Sequence, residues 1–159
     1  MKILNIAAAG LLLTIVGCAS ATTTVLEPTS ASVKSSTIAI NHGDDTVPVE
    51  EEYGAYFRTK LGEELYNEGG FAEGDGLTLR YRFLQLDQGS RAARYMLGPI
   101  AGKGSMTIEI VFFDPEGVEL SKIHTGGEIS GGLFGGSFKS ALDKAAKEAA
   151  EYAINNFLP

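Results

Sequence analysis

Residues 77–83 alternate Leu77, Leu79, Tyr81 and Phe83 with Thr78, Arg80 and Arg82, and residues 106–113 set Met106, Ile108, Ile110 and Phe112 against Thr107 and Glu109. A period of two puts the apolar set on one side of a strand and the polar set on the other. A chain that does this twice must build a sheet with one wet face and one covered face. Asp114-Pro115-Glu116-Gly117 has Pro at the second place and Gly at the fourth of a type I turn, so residues 118–125 return as a hairpin partner. That returning run is more polar and stops at Gly126-Gly127, which reads as an edge strand. Upstream, the β-branched run from Thr37 to Ile40 closes on the turn cluster Asn41-His42-Gly43-Asp44-Asp45 and supplies a first strand.

Two helical patterns provide the cover. Val49, Tyr53, Tyr56, Phe57, Leu61 and Leu65 recur at helical spacing, with Asp45 or Thr46 as cap, Pro48 in the first turn and Glu50, Glu51 and Glu52 where unpaired N–H groups favour negative charge. Gly54 and Gly62 each cost about 1 kcal/mol against Ala there, so either something approaches closely or the helix is soft. Gly69-Gly70 ends it. From Ser137 to Phe157 a second helix gathers Phe138, Ala141, Leu142, Ala145, Ala149, Tyr152, Ala153 and Phe157 on one face. Its far side offers Asp143 to Lys147 and Lys144 to Glu148, pairs worth a few tenths of a kcal/mol each. The order β-α-β-β-β-α predicts an α+β two-layer sandwich, with two helices on one face of a mostly antiparallel four-stranded sheet.

The N-terminus speaks to location. Lys2 precedes an apolar run from Ile6 to Val16 that is too short for a bilayer core of about 30 Å, and the run ends at Ile15-Val16-Gly17-Cys18. A plain secretory signal has no use for a cysteine after its cut, whereas a bacterial lipoprotein needs the Cys18 thiol to take a diacylglyceryl group. Residues 1–17 therefore read as a lipoprotein signal peptide, 18–36 as a lipidated flexible tether rich in Ala, Ser and Thr, and 37–159 as a single globular domain. A coil of 18 residues reaches roughly 25 Å r.m.s.. Cys18 is the only cysteine, so no disulfide is expected. Ala19 stands where an inner-membrane retention signal of the enterobacterial type would place Asp, which in a diderm source sorts the protein to the outer membrane, facing the periplasm. A net charge of −7 argues against nucleic acid or free anionic lipid as the main partner.

The candidate contact residues lie on two loops. Residues 87–103 join two strands by far more chain than the two to five residues of an ordinary hairpin, and loops of this length are usually functional or disordered. Arg91, Arg94 and Lys103 gather there beside Tyr95, Met96, Leu97, Pro99 and Ile100. Arginine forks grip carboxylates and phosphates in pairs, and apolar neighbours add buried area. The competing reading folds the apolar residues back and pairs the arginines with local acids. Residues 126–136 carry three Gly-Gly pairs around Leu133 and Phe134 before the last helix. No G-x-G-x-x-G can be drawn in them, so the reading that remains is a mobile loop that packs Leu133 and Phe134 or dips them toward membrane or partner. Gly102-Lys103-Gly104-Ser105 imitates a phosphate loop, but a strand follows where a helix is needed. His42 and His124 have no second ligand at metal spacing and no serine in a nucleophile motif, and the acids at 44–52 lack calcium-loop spacing. No catalytic residue, cofactor or metal site is expected.

The segment from Gly89 to Gly98 with Arg91, Arg94 and Tyr95 at its centre, then Gly102-Lys103-Gly104 leading into a strand and the Asp114-Pro115-Glu116-Gly117 turn, resembles the bacterial lipoproteins grouped as domain of unknown function 4410. The resemblance covers roughly residues 37–157. It implies an envelope protein without assigned activity, with a sheet-and-helix domain similar to periplasmic lipoprotein assembly factors, and it supplies no catalytic residues. Pro99-Ile100 after Gly98 departs from the usual loop. The functional expectation is a non-enzymatic accessory or assembly protein that is held to the membrane by its N-terminal lipid. It would touch an envelope protein through Arg91, Arg94, Tyr95, Lys103, Leu133 and Phe134. The alternative is a binding module for an anionic envelope ligand such as lipopolysaccharide, phospholipid or peptidoglycan. A hydrolase would require a pocket joining a histidine to a carboxylate and a serine.

Overall fold

A computed structural model describes residues 22–29, 33–87, 104–129 and 137–159. The elements are β1 (Thr22–Glu27), β2 (Thr37–His42), α1 (Glu51–Gly62) continued by a π-helical stretch (Glu63–Glu68), β3 (Ala72–Asp87), β4 (Gly104–Phe113), β5 (Glu119–Ile129) and α2 (Phe138–Phe157). The fold is α+β, with five strands in the order β1-β5-β4-β3-β2. β2 runs parallel to β3, and the other three pairings are antiparallel.

The expected four-stranded sheet is corrected to five by β1, which comes from inside the stretch read as a flexible tether. Thr22-Thr23-Thr24-Val25 is a β-branched run, and such side chains fit a pleated surface. Its pairing with β5 is reinforced by the Thr23 hydroxyl, which donates to Glu148 of α2 at 2.7 Å. β5 is therefore an interior strand, not an edge, and it continues through Gly126-Gly127 to Ile129. Gly126 makes that possible. Its φ is +155°, and a Cβ there would run into the carbonyl oxygen of Met106 on β4.

Both helices cover one face of the sheet. Leu77, Leu79, Tyr81 and Phe83 of β3 and Met106, Ile108, Ile110 and Phe112 of β4 point into the core, as the alternation requires. Phe57 of α1 meets Tyr81 and Phe83 edge-on, with centroids at 5.0 and 5.8 Å. Phe157 packs on Phe112 at 5.0 Å. The alanine face of α2 is buried from Ala141 to Ala153.

The capping of α1 differs from the expectation. Glu50 occupies the N-cap with no side-chain hydrogen bond, because Asp45 and Thr46 are engaged along β3. The Phe83 amide donates to Asp45 Oδ1 at 2.8 Å, while the Thr46 amide and hydroxyl donate to the Phe83 carbonyl at 3.0 and 3.2 Å. Gly54 has only ordinary van der Waals neighbours, with His42 3.9 Å from where a Cβ would stand. The helical stretch ends at Gly69-Gly70 as expected, with Gly70 at φ +86°. Ser137 caps α2, its hydroxyl accepting from the Ser140 amide at 3.2 Å. On that helix Asp143 accepts from the Tyr56 hydroxyl at 2.8 Å, a bond between helices where a bond within one was expected.

Candidate functional site

Register decides which ends of the chain meet. β3 rises to Asp87, which is opposite Ser105, and β4 begins at Gly104, which is opposite Ile129 at the close of β5. Neighbouring strands lie about 4.8 Å apart, so the roots of the 88–103 connection and of the 130–136 connection fall within two strand spacings of each other. β1 starts at Thr22 opposite Gly126, at the same end of the sheet. The roots of the two loops singled out in the sequence and the start of β1 thus share one end of the sheet. The other end carries the Asp114–Gly117 turn and the C-terminus of α2. Cys18, Arg91, Arg94, Tyr95, Lys103, Leu133 and Phe134 themselves lie outside the described residues.

What supports this end is fixed by contacts between the first turns of the helices. Tyr53 meets Phe138 edge-on at 4.7 Å, and Lys139 pairs with Glu52 at 2.6 Å. Lys139 also lies 5.1 Å from the centre of the Tyr56 ring. The hydrogen bond to Asp143 raises the Tyr56 hydroxyl above the usual tyrosine value, and burial adds to it. Tyr81 is pushed up to about 12, by burial above all. Tyr56 and Tyr81 therefore keep their hydroxyl protons across the physiological range and act as rigid support.

Both histidines are tied to carboxylates. His42 stacks on Tyr81, with centroids 4.6 Å apart and planes 8° apart, and its Nε2 is 2.9 Å from Asp45 Oδ1. His124 Nε2 is 3.3 Å from Glu109 Oε2, while Arg82 Nε donates to Glu109 Oε1 at 2.7 Å. Glu109, only 9% exposed, is the centre of this row on the sheet face away from the helices. Burial works to raise its carboxyl, but the hydrogen bonds from Arg82 and His124, with their charges, outweigh that and hold it below the usual carboxylate value. Among the described residues neither pair is joined by a serine, and no group of three acidic, histidine or cysteine side chains could hold a metal ion. The row was invisible in the sequence because Arg82, Glu109 and His124 belong to three strands, and only the register Arg82↔Glu109↔His124 aligns them.

A second feature missed by the sequence reading is a shallow cleft of ≈ 470 Å³ between β1 and α2. It is lined by Thr22, Thr23, Glu148, Glu151, Tyr152 and Asn155. Its only sequence signal was the β-branched run at 22–25.

No curated protein matches the chain. Among solved structures, the chain is similar to two PelC dodecamers from Paraburkholderia phytofirmans. One, a single-residue variant, is 10% identical with a TM-score of 0.49, the match covering 84% of this chain and 96% of that one. The other is 13% identical with a TM-score of 0.46, over 80% of this chain and 96% of that one. A family model described as Domain of unknown function (DUF4410) matches residues 56–132 of this chain, from the middle of α1 through the whole of β3, β4 and β5.

Proposed function

We propose that this protein is a lipid-anchored lipoprotein of the cell envelope, acylated at Cys18, that works without catalysis as an accessory or assembly protein. It touches an envelope partner with the loop-bearing end of its sheet. One observation carries the reading: the roots of both loops and the start of β1 lie at the same end. Because β1 begins four residues after Cys18, the slack between lipid and domain is about 14 Å of chain at most, well short of the roughly 25 Å first expected for a long tether. A short leash fixed at the loop-bearing end turns that end toward the membrane. Arg91, Arg94, Tyr95 and Lys103 on one loop and Leu133 and Phe134 on the other then meet a partner embedded in, or lying on, the same membrane. In a diderm source, Ala19 directs this assembly to the outer membrane, with the domain on the periplasmic side.

Photo-crosslinking in cells from positions 95 and 134 of the full lipoprotein tests the reading, with Arg91→Glu/Arg94→Glu as control. A single protein adduct that disappears in the control is the expected outcome. Adducts confined to lipid or glycan would transfer the function to binding of an anionic envelope ligand, and no adduct from either position would remove both loops from the site.

A further inference from the structure

We propose that β1 is a docking edge for an extended, basic segment of a partner protein, which adds to the sheet as a sixth strand. β1 is an edge strand, and among the described residues nothing pairs with its outer side. Five of its six residues are exposed, including Val25 and Leu26 at 44% and 46%. An edge of this kind is a template for strand addition unless it is blunted. The blunting here is slight: a register shift between Val25 and Glu27 and one terminal charge, Glu27. The first four residues, Thr22 to Val25, keep regular pairing with β5.

The cleft beside the edge selects the charge of the guest. A strand added to β1 would send alternate side chains over α2, where Glu148 and Glu151 line the cleft. Residues three apart on a helix stand about 5–6 Å apart, and alternate residues on a strand about 6.7 Å apart. Two basic side chains at i and i+2 of the guest therefore meet the two carboxylates without distortion. Glu148 already accepts from Thr23, which holds one carboxylate at the rim, while Glu151 is paired among the described residues with the distant Lys147 at 4.0 Å. Main-chain bonds to β1 would provide affinity, and the carboxylates would provide the choice of sequence. The same charges disfavour a second copy of this chain, because antiparallel pairing of two β1 edges would set the α2 faces that bear Glu148 and Glu151 side by side. This surface starts at Thr22, beside the roots of the loops, but it uses no loop residue and does not depend on the proposed loop contacts.

The test uses the full chain in detergent micelles and a fluorescein-labelled octapeptide of alternating valine and lysine. Three controls accompany it: the valine and glutamate counterpart, and two valine and lysine peptides N-methylated on alternate residues, one for each edge. The basic peptide is expected to bind saturably, and the glutamate peptide about tenfold more weakly or worse. At least one N-methylated peptide should lose binding by a similar factor, because the wild-type protein then lacks a main-chain partner. Glu148→Lys/Glu151→Lys should weaken binding about tenfold. Equal binding by both N-methylated peptides would reduce the effect to charge attraction and overturn the proposal. So would failure of the basic peptide to bind, or self-association of the unliganded protein that Val25→Lys abolishes.

Discussion

Replacing Glu109 by Gln removes one charge and changes almost nothing in volume, so its effect isolates the cross-strand row on the open sheet face. The Gln oxygen can keep one of the two bonds now made by Glu109, to Arg82 at 2.7 Å or to His124 at 3.3 Å. Its NH₂ group then faces the other partner: turned to Arg82 it meets a donor, and turned to His124 it is satisfied only by the tautomer whose Nε2 accepts, with the charge of the carboxylate lost in either case. Hydrogen bonds to charged groups are worth about 1.5–3 kcal/mol each, but the Arg82 and His124 side chains are 42% and 29% exposed and regain water when released. With that screening the net loss at neutral pH comes to about 1–2 kcal/mol, or a fall in Tm of about 3–8 °C. The pH dependence has a definite sign. The folded carboxyl is held below its ordinary value of 4.5, so its contribution is complete above pH 4.5 and disappears as pH falls through the depressed value. Thermal unfolding followed by circular dichroism from pH 7 downward should show wild type and variant converging below pH 4.5. A variant as stable as wild type at pH 7, or a gap that stays constant into acid, would refute the assignment of stabilising charge to this row.

Two further perturbations address the frame. Gly126→Ala drives a methyl group into the Met106 carbonyl from a positive φ, and the strain should cost at least about 2 kcal/mol; chemical denaturation giving a midpoint equal to wild type would show that β5 does not run through this residue as described. Tyr81, pushed up to about 12 by burial, should ionise late in an absorbance titration. Stability should decline from pH 10, the unfolded value, toward pH 12, and a midpoint near 10 would place Tyr81 in water.

The core of the fold was legible because periodicity alone generates it. Leu77 to Phe83 and Met106 to Phe112 gave the two central strands, the alanine face gave α2, and Asp114-Pro115-Glu116-Gly117 gave the turn. β1 was not legible, since Thr22 to Val25 sits in a stretch whose Ala, Ser and Thr content also suits a linker. Only pairing with β5, a tertiary event, decides between the two. Reading β5 as an edge followed from the same omission. The cap of α1 was misplaced because Asp45 and Thr46 suit a helix start equally well, and the free backbone of β3 at Phe83 and Leu84 claimed them first. At the candidate site, the sequence indicated two loops by length and composition. That their roots share an end with the start of β1 is a matter of strand direction, which no local pattern encodes.

The central claim is the orientation that follows from that shared end, and the distance of each end of β4 from the membrane measures it directly. Fluorophores at Ser105 and at Glu116, in the full lipoprotein reconstituted in vesicles, would be read by energy transfer to acceptors on lipid headgroups. β4 advances about 3.3 Å per residue, so the two positions should differ in height by about 25–30 Å, with position 105 the nearer. Equal transfer from both, or stronger transfer from position 116, would contradict the account.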